Sequence, residues 1–172
     1  MQAPRDSLAT LIDVHEISQV LYRYTIAIDT RELSLFDRCF VSDARIEIPG
    51  LGVLDRDGYG RVWAENLPAF DATQHLVGNP AIQIDGEGAS SRCYFIAQHV
   101  RNALAPNPFL IMGGWYDDRL ARVNGRWLIT ARTGTAVWFD GNPAVLGYPM
   151  PAGALPRSAG HACPPWLRGA GS

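Results

Sequence analysis

The chain has 172 residues, 47% of them hydrophobic, which is enough apolar material for one well-packed domain and too little chain for two ordinary ones. A formal net charge of −2 leaves no broad positive field of the kind that nucleic acid or an anionic membrane selects. All 15 basic residues are arginine, which excludes Schiff-base chemistry on a lysine side chain and phosphate-loop nucleotide binding.

The N-terminus, Met1-Gln2-Ala3-Pro4-Arg5-Asp6, lacks the basic-then-apolar layout of a signal peptide, and no apolar run reaches the roughly 20 residues that span a bilayer. A cytoplasmic location is the expectation. Asp13 and Glu16 have the spacing of a capping box, and Ile17, Val20, Leu21, Tyr24 and Ile28 follow at helical intervals. This predicts a helix from Asp13 to Asp29. An acid in its last turn meets the negative end of the helix dipole, so another group is needed to hold Asp29. Leu33 to Phe40 reads as a second short helix, and Ala44 to Ile48 alternates as a half-buried strand that Pro49-Gly50 ends. A third helix, capped by Asp57, is expected through Tyr59, Val62, Trp63 and Leu67.

From Thr73 the period changes to two. Turn signals at Asn79-Pro80, Asp85-Gly86-Glu87-Gly88, Ala105-Pro106-Asn107-Pro108 and Asn124-Gly125 predict an antiparallel meander. Three of its segments, Ala89 to Leu104, Phe109 to Val123 and Arg126 to Phe139, exceed the usual strand length of about 5 or 6 residues, and such strands bend. Gly113-Gly114 within one of them marks a bulge or sharp curvature. The expected fold is α+β, with N-terminal helices covering a strongly curved, mostly antiparallel sheet around a pocket. The last stretch holds six of the twelve prolines and no periodicity. A domain over residues 1–142 is therefore followed by an irregular tail, 143–172, expected to cover the pocket mouth or a neighbouring subunit, with Trp166 and Leu167 as its anchors. Cys39, Cys93 and Cys163 are odd in number and widely spaced, which argues against a disulfide framework and a zinc cluster. No metal and no nucleotide or pyridoxal cofactor is expected.

The strongest chemical signal is the pair Asp29 and His75, each set among residues that would normally face a core. Neutral imidazole is a competent base near neutral pH, and a carboxylate on its other nitrogen fixes the tautomer and stabilises the imidazolium. The competing reading is a solvated Asp29 paired with Arg31 and a His75 satisfied within the core. Tyr24 lies on the apolar stripe of its helix as a core tyrosine or a catalytic acid. His99 shares strand parity with Cys93, Phe95 and Ala97, facing a cavity or standing at its rim. Arg132 is a substrate or oxyanion ligand, or pairs with Asp117 or Asp118 across the sheet. Of the aromatic residues Trp63, Phe70, Tyr94, Trp115 and Trp138, one or two should line any pocket. His15 reads as surface, and His161 carries no readable role.

Tyr24 with Ile28-Asp29, Phe40 with Asp43-Ala44, Thr73-Gln74-His75 with Asn79, and Gly114-Trp115-Tyr116 followed by Gly125-Arg126-Trp127 together resemble the SnoaL-like group of the nuclear-transport-factor-2-like superfamily, over Leu8 to Asn142. The resemblance implies a cone-shaped α+β barrel. Its dehydratase and dehydrochlorinase branch is the most similar, with an aspartate ending the first helix and a histidine on a following strand, positions matched by Asp29 and His75. It also implies a role for Tyr24, five residues before the aspartate, and makes His99 the candidate second histidine and Arg132 the candidate arginine. The catalytic set is thus His75, Asp29, Tyr24 and His99, with Arg132, Trp115, Tyr94, Trp63 and Phe95 as substrate contacts. The implied function is a cofactor-independent lyase of the dehydratase type acting on a small, apolar, cyclic substrate, polyketide-, steroid- or terpene-like. An isomerase or cyclase using the same dyad, or a non-catalytic subunit, is the alternative. A homo-oligomer, trimer or dimer, is implied as well.

Overall fold

The computed structural model describes residues 8–148 and 164–168. Helix α1 spans Leu8–Asp29 and buries Ile17, Val20, Leu21, Tyr24, Ala27 and Ile28. Fully burying each large apolar side chain among these is worth about 1.5–3 kcal/mol, so tertiary packing holds the helix. The capping box does not form. Asp13 lies inside the helix, where its carboxylate accepts hydrogen bonds from Arg122 Nη2 and, at 3.2 Å, from Trp127 Nε1. A charged cross-element partner has displaced the local cap.

A 3₁₀ turn at Leu33–Arg38 leads into strand β1, Phe40–Ile48, and a tight hairpin to β2, Gly52–Leu54. Helix α2 spans Arg56–Asn66, followed by a 3₁₀ turn at Leu67–Ala69. Its cap is Asp55 rather than Asp57: Asp55 has extended backbone and its carboxylate accepts from Gly58 N at 2.6 Å, while Asp57 sits in the first turn against Arg56.

Four long strands follow: β3 at Ala72–Asp85, β4 at Gly88–Val100, β5 at Phe109–Val123 and β6 at Arg126–Gly141. The sheet order is β2-β1-β6-β5-β4-β3, antiparallel throughout except for the parallel β1–β6 pair. β2 and β3 form open edges, so the curved sheet is not closed. Asn79-Pro80 is not a turn. β3 runs through it with one extra residue between Gly78 and Ala81, and Asn79 takes the left-handed conformation at φ 52°. The bulge absorbs the proline, whose missing N–H would otherwise break the ladder with β4.

The expected distortion at Gly113-Gly114 is present, because Gly113 pairs with Trp138 and Gly114 with Ala136, leaving Val137 as the extra residue. A Cβ on Gly113 would overlap the Trp138 indole, and one on Gly114 would overlap the Thr135 carbonyl. Glycine is required there by close approach. Beyond β6, the 3₁₀ turn Pro143–Leu146 belongs to the domain body, with Val145 and Leu146 buried in the core. Residues 165–168 form a short turn whose Trp166 lies near Gln83, Ser90, Arg92 and Arg119, on the outer face of the sheet. The rest of the tail, His161 and Cys163 included, falls outside the described residues; Cys39 and Cys93 are buried free thiols.

Candidate active site

Asp29 closes α1 and meets β3 directly. Thr73 Oγ1 donates to its Oδ1 at 2.9 Å, the His75 backbone N–H donates to Oδ2 at 2.7 Å, and His75 Nδ1 lies 2.8 Å from Oδ1. These contacts answer the unfavourable dipole at the helix end. Arg31 is not the partner: its guanidinium donates to the Phe70 carbonyl at 2.8 Å. Burial raises the Asp29 pKa, yet the hydrogen bond and charge of His75, with the two other donors, hold it below the usual carboxylate range. An ionised carboxylate only accepts, so the Asp29 contact places a proton on His75 Nδ1, and in the neutral form of the ring Nε2 keeps its lone pair. The His75 side chain is 3% exposed and lines a cavity.

That cavity has a volume of about 50 Å³, is partly open, and lies between the concave sheet face and the helices. Its enclosed space holds roughly four waters, so a ring would also occupy the open mouth. Tyr24, Tyr59, Trp63, His75, Phe95 and His99 form its buried part, while Pro49, Leu51, Val62, Asn66 and Tyr148 are its more exposed lining. His99 packs beside the dyad, its ring 5.3 Å from that of His75 and stacked with Trp63 at 6.5 Å. Burial, reinforced by the His75 charge and opposed by Asp29, pushes the His99 pKa down to about 3. His99 is therefore neutral at physiological pH.

Tyr24 OH and Tyr59 OH share a 2.6 Å hydrogen bond. Burial raises both pKa values, that of Tyr24 further through neighbouring tyrosines. Tyr59 received no role from sequence, since nothing in the α2 pattern distinguishes it from a core tyrosine. Thr73 was equally unassigned, although it lies two residues before His75 and so on the same strand face.

Three expected substrate contacts lie outside the cavity. Arg132 is fully buried and forms a two-pronged pair with Asp118, Nε–Oδ1 2.7 Å and Nη2–Oδ2 2.8 Å. Its guanidinium sits 4.2 Å from the Tyr24 ring centroid and 4.4 Å from that of Tyr116, behind the cavity wall. Tyr94 and Trp115 face away because β4 points its odd residues inward, Cys93 to His99, and Tyr94 pairs across strands with Trp115 on the outer face. Trp63 and Phe95 do line the cavity. Among the described residues no three His, Cys, Asp or Glu side chains are grouped to hold a metal, and no helix is long and apolar enough to cross a membrane.

Residues 9–133 match the model of the SnoaL-like domain. An uncharacterized protein of Mycobacterium tuberculosis is 36% identical over 132 residues, covering 75% of this chain and 88% of its own. The terrestric acid biosynthesis cluster protein E of Penicillium crustosum is 31% identical over 146 residues, covering 80% and 91%. Among solved structures, a protein of Novosphingobium aromaticivorans that carries the name scytalone dehydratase superposes with a TM-score of 0.70 at 22% identity, covering 83% of this chain and 96% of that one. A hexachlorocyclohexane dehydrochlorinase superposes at 0.72 with 17% identity, covering 86% and 100%. Those two likenesses show the fold. With the family model matching most of the chain, this protein belongs to the SnoaL-like domain family.

Proposed function

We propose that the protein is a cofactor-independent lyase of the dehydratase type, acting on a small, largely apolar cyclic hydroxy compound. The observation that carries this reading is the Asp29–His75 pair, bonded at 2.8 Å with the imidazole on a partly open apolar cavity. His75 Nε2 takes an acidic C–H proton, the electron pair of that bond becomes a C=C bond, and the C–O bond of the neighbouring hydroxyl breaks. Asp29 stabilises the imidazolium meanwhile. The departing hydroxyl takes the proton from His75, so water leaves and no net proton is gained or lost.

The environment supports His75 as the returning acid. His99 is neutral, and burial holds Tyr24 and Tyr59 above their ordinary pKa, which makes all three weaker proton donors than an imidazolium. In this reading His75, in place of Tyr24 or His99, returns the proton. The size of the cavity implies that any steroid- or terpene-sized substrate leaves part of its skeleton outside. The names scytalone dehydratase and biosynthesis cluster protein among similar proteins fit the reading. The test is turnover of a panel of cyclic β-hydroxy ketones by wild type, His75→Ala and Asp29→Asn. Each variant should lose between two and four powers of ten with its fold retained; near-wild-type turnover in either would remove the dyad.

The outer face carries a further part of the proposal, self-association. Leu76, Ile96, Gly113 and Trp138 align in register across four strands, with Leu76 66%, Ile96 44% and Trp138 42% exposed, beside Tyr94 at 53%. An apolar band of this kind favours burial against a second copy of the chain.

A further inference from the structure

Two nitrogen atoms in the cavity wall have no hydrogen-bond partner among the described residues: Nε1 of Trp63 and Nδ1 of His99. Both side chains line the cavity, and their residues are only 8% and 2% exposed. Such groups are rarely left unmade in a folded protein, because each buried unpaired donor or acceptor carries a desolvation penalty. The indole N–H approaches the Tyr59 hydroxyl closely enough to lower that hydroxyl's pKa, yet falls short of full hydrogen-bond geometry, and the Tyr59 hydroxyl is itself bonded to Tyr24. An indole nitrogen only donates, whereas neutral His99 has one donor and one acceptor nitrogen. The rings packed on His99, those of Trp63, Phe70 and His75, leave its Nδ1 without a hydrogen-bond partner.

We propose that the ligand of this cavity places an oxygen function at the Trp63–His99 end, accepting from the Trp63 indole N–H, and that Trp63 thereby selects oxygenated rings over hydrocarbon or halogenated ones. A hydroxyl is the simplest group that serves both side chains, since it accepts from the indole and can donate to, or accept from, the imidazole. The inference rests on the cavity's being the substrate site, and it deepens that reading by specifying a polar group on the ligand. Halogen and methyl substituents are poor acceptors and would leave the indole N–H unpaired. Trp63 touches both histidines, with its ring 5.9 Å from that of His75, so an oxygen held there also orients the ligand relative to the base.

Phenol and toluene test this as a matched pair, equal in ring size and differing in hydroxyl against methyl. Both are titrated into ¹⁵N-labelled full-length protein, and the Trp63 indole N–H signal is identified by its loss in Trp63→Phe. Phenol should move that signal downfield and bind roughly ten-fold more tightly than toluene, the reverse of the order a purely apolar cavity would give. In Trp63→Phe the preference should fall roughly ten-fold, with the remaining spectrum showing an intact fold. Toluene binding as well as phenol, a Trp63 signal indifferent to phenol, or no binding of either ring would each overturn the proposal. The readout needs no turnover. An oxygen preference combined with undiminished turnover in Asp29→Asn would therefore sink the dehydratase reading and leave this one standing.

Discussion

His99 offers a thermodynamic test of the site that requires no substrate. Its pKa is lowered from 6.5 to about 3, first by burial and then by the His75 charge, against the opposing Asp29 carboxylate. The unfolded chain therefore binds a proton at this residue well before the folded chain does. The stability associated with neutral His99 is complete above pH 6.5 and is lost progressively as pH falls toward 3. One pKa unit corresponds to between about 1 and 2 kcal/mol, so the whole window amounts to on the order of 5 kcal/mol. Total domain stability is typically about 5–15 kcal/mol. Urea unfolding followed by tryptophan fluorescence at pH 7, 6 and 5 should show a stability loss of about 2 kcal/mol in all, the larger part of it between pH 6 and 5. His99→Phe, which suits the ring-lined site formed with Trp63 and Phe70, should flatten that slope. Asp13 and Asp29, with folded pKa values below 3.8, lose their contributions only as pH falls below that value, outside this window. Equal slopes for wild type and His99→Phe between pH 7 and 5 would refute the argument.

Asp118→Ala would strand the fully buried Arg132 charge and should cost about 3–5 kcal/mol in chemical denaturation, while Asp118→Leu with Arg132→Met should recover much of it. Gly114→Ala drives a methyl group into the Thr135 carbonyl and should cost at least about 1–3 kcal/mol, measured as a lowered unfolding midpoint. Ile96→Glu with Leu76→Glu places charges within the exposed apolar band and should shift the light-scattering mass toward that of the monomer with the fold unchanged. Thr73→Val removes one of three donors to Asp29, and turnover should drop roughly ten-fold with Tm nearly constant.

The elements that came through from sequence are those governed by period and backbone chemistry. The apolar stripe of α1, the two-residue alternation after Thr73 and the paired glycines at 113–114 each reflect a local constraint, and each has its counterpart in the structure. Misreadings arose where a distant partner outcompeted a local one. Asp13 had cap spacing but found Arg122 and Trp127, and Asn79-Pro80 had turn chemistry but was absorbed as a bulge because the ladder with β4 resumes beyond it. Tyr94 and Trp115 were drawn into the site by composition, although strand parity already placed them opposite Phe95 and His99.

Sequence alone determined which residues could do chemistry: no lysine, a carboxylate at a helix end, and a histidine on a strand of matching parity. The tertiary structure decided which of these meet. It joined Asp29 to His75 rather than Arg31, withdrew Arg132 behind the tyrosines onto Asp118, and left Trp63 Nε1 and His99 Nδ1 without a well-formed hydrogen bond on the cavity. The physical reason is that periodicity specifies the face on which a side chain lies, whereas hydrogen bonds and buried charges depend on distances of a few ångströms between segments far apart in the chain. Those distances are set by sheet curvature and by the seating of α1 on it, and neither is encoded in any short stretch of residues.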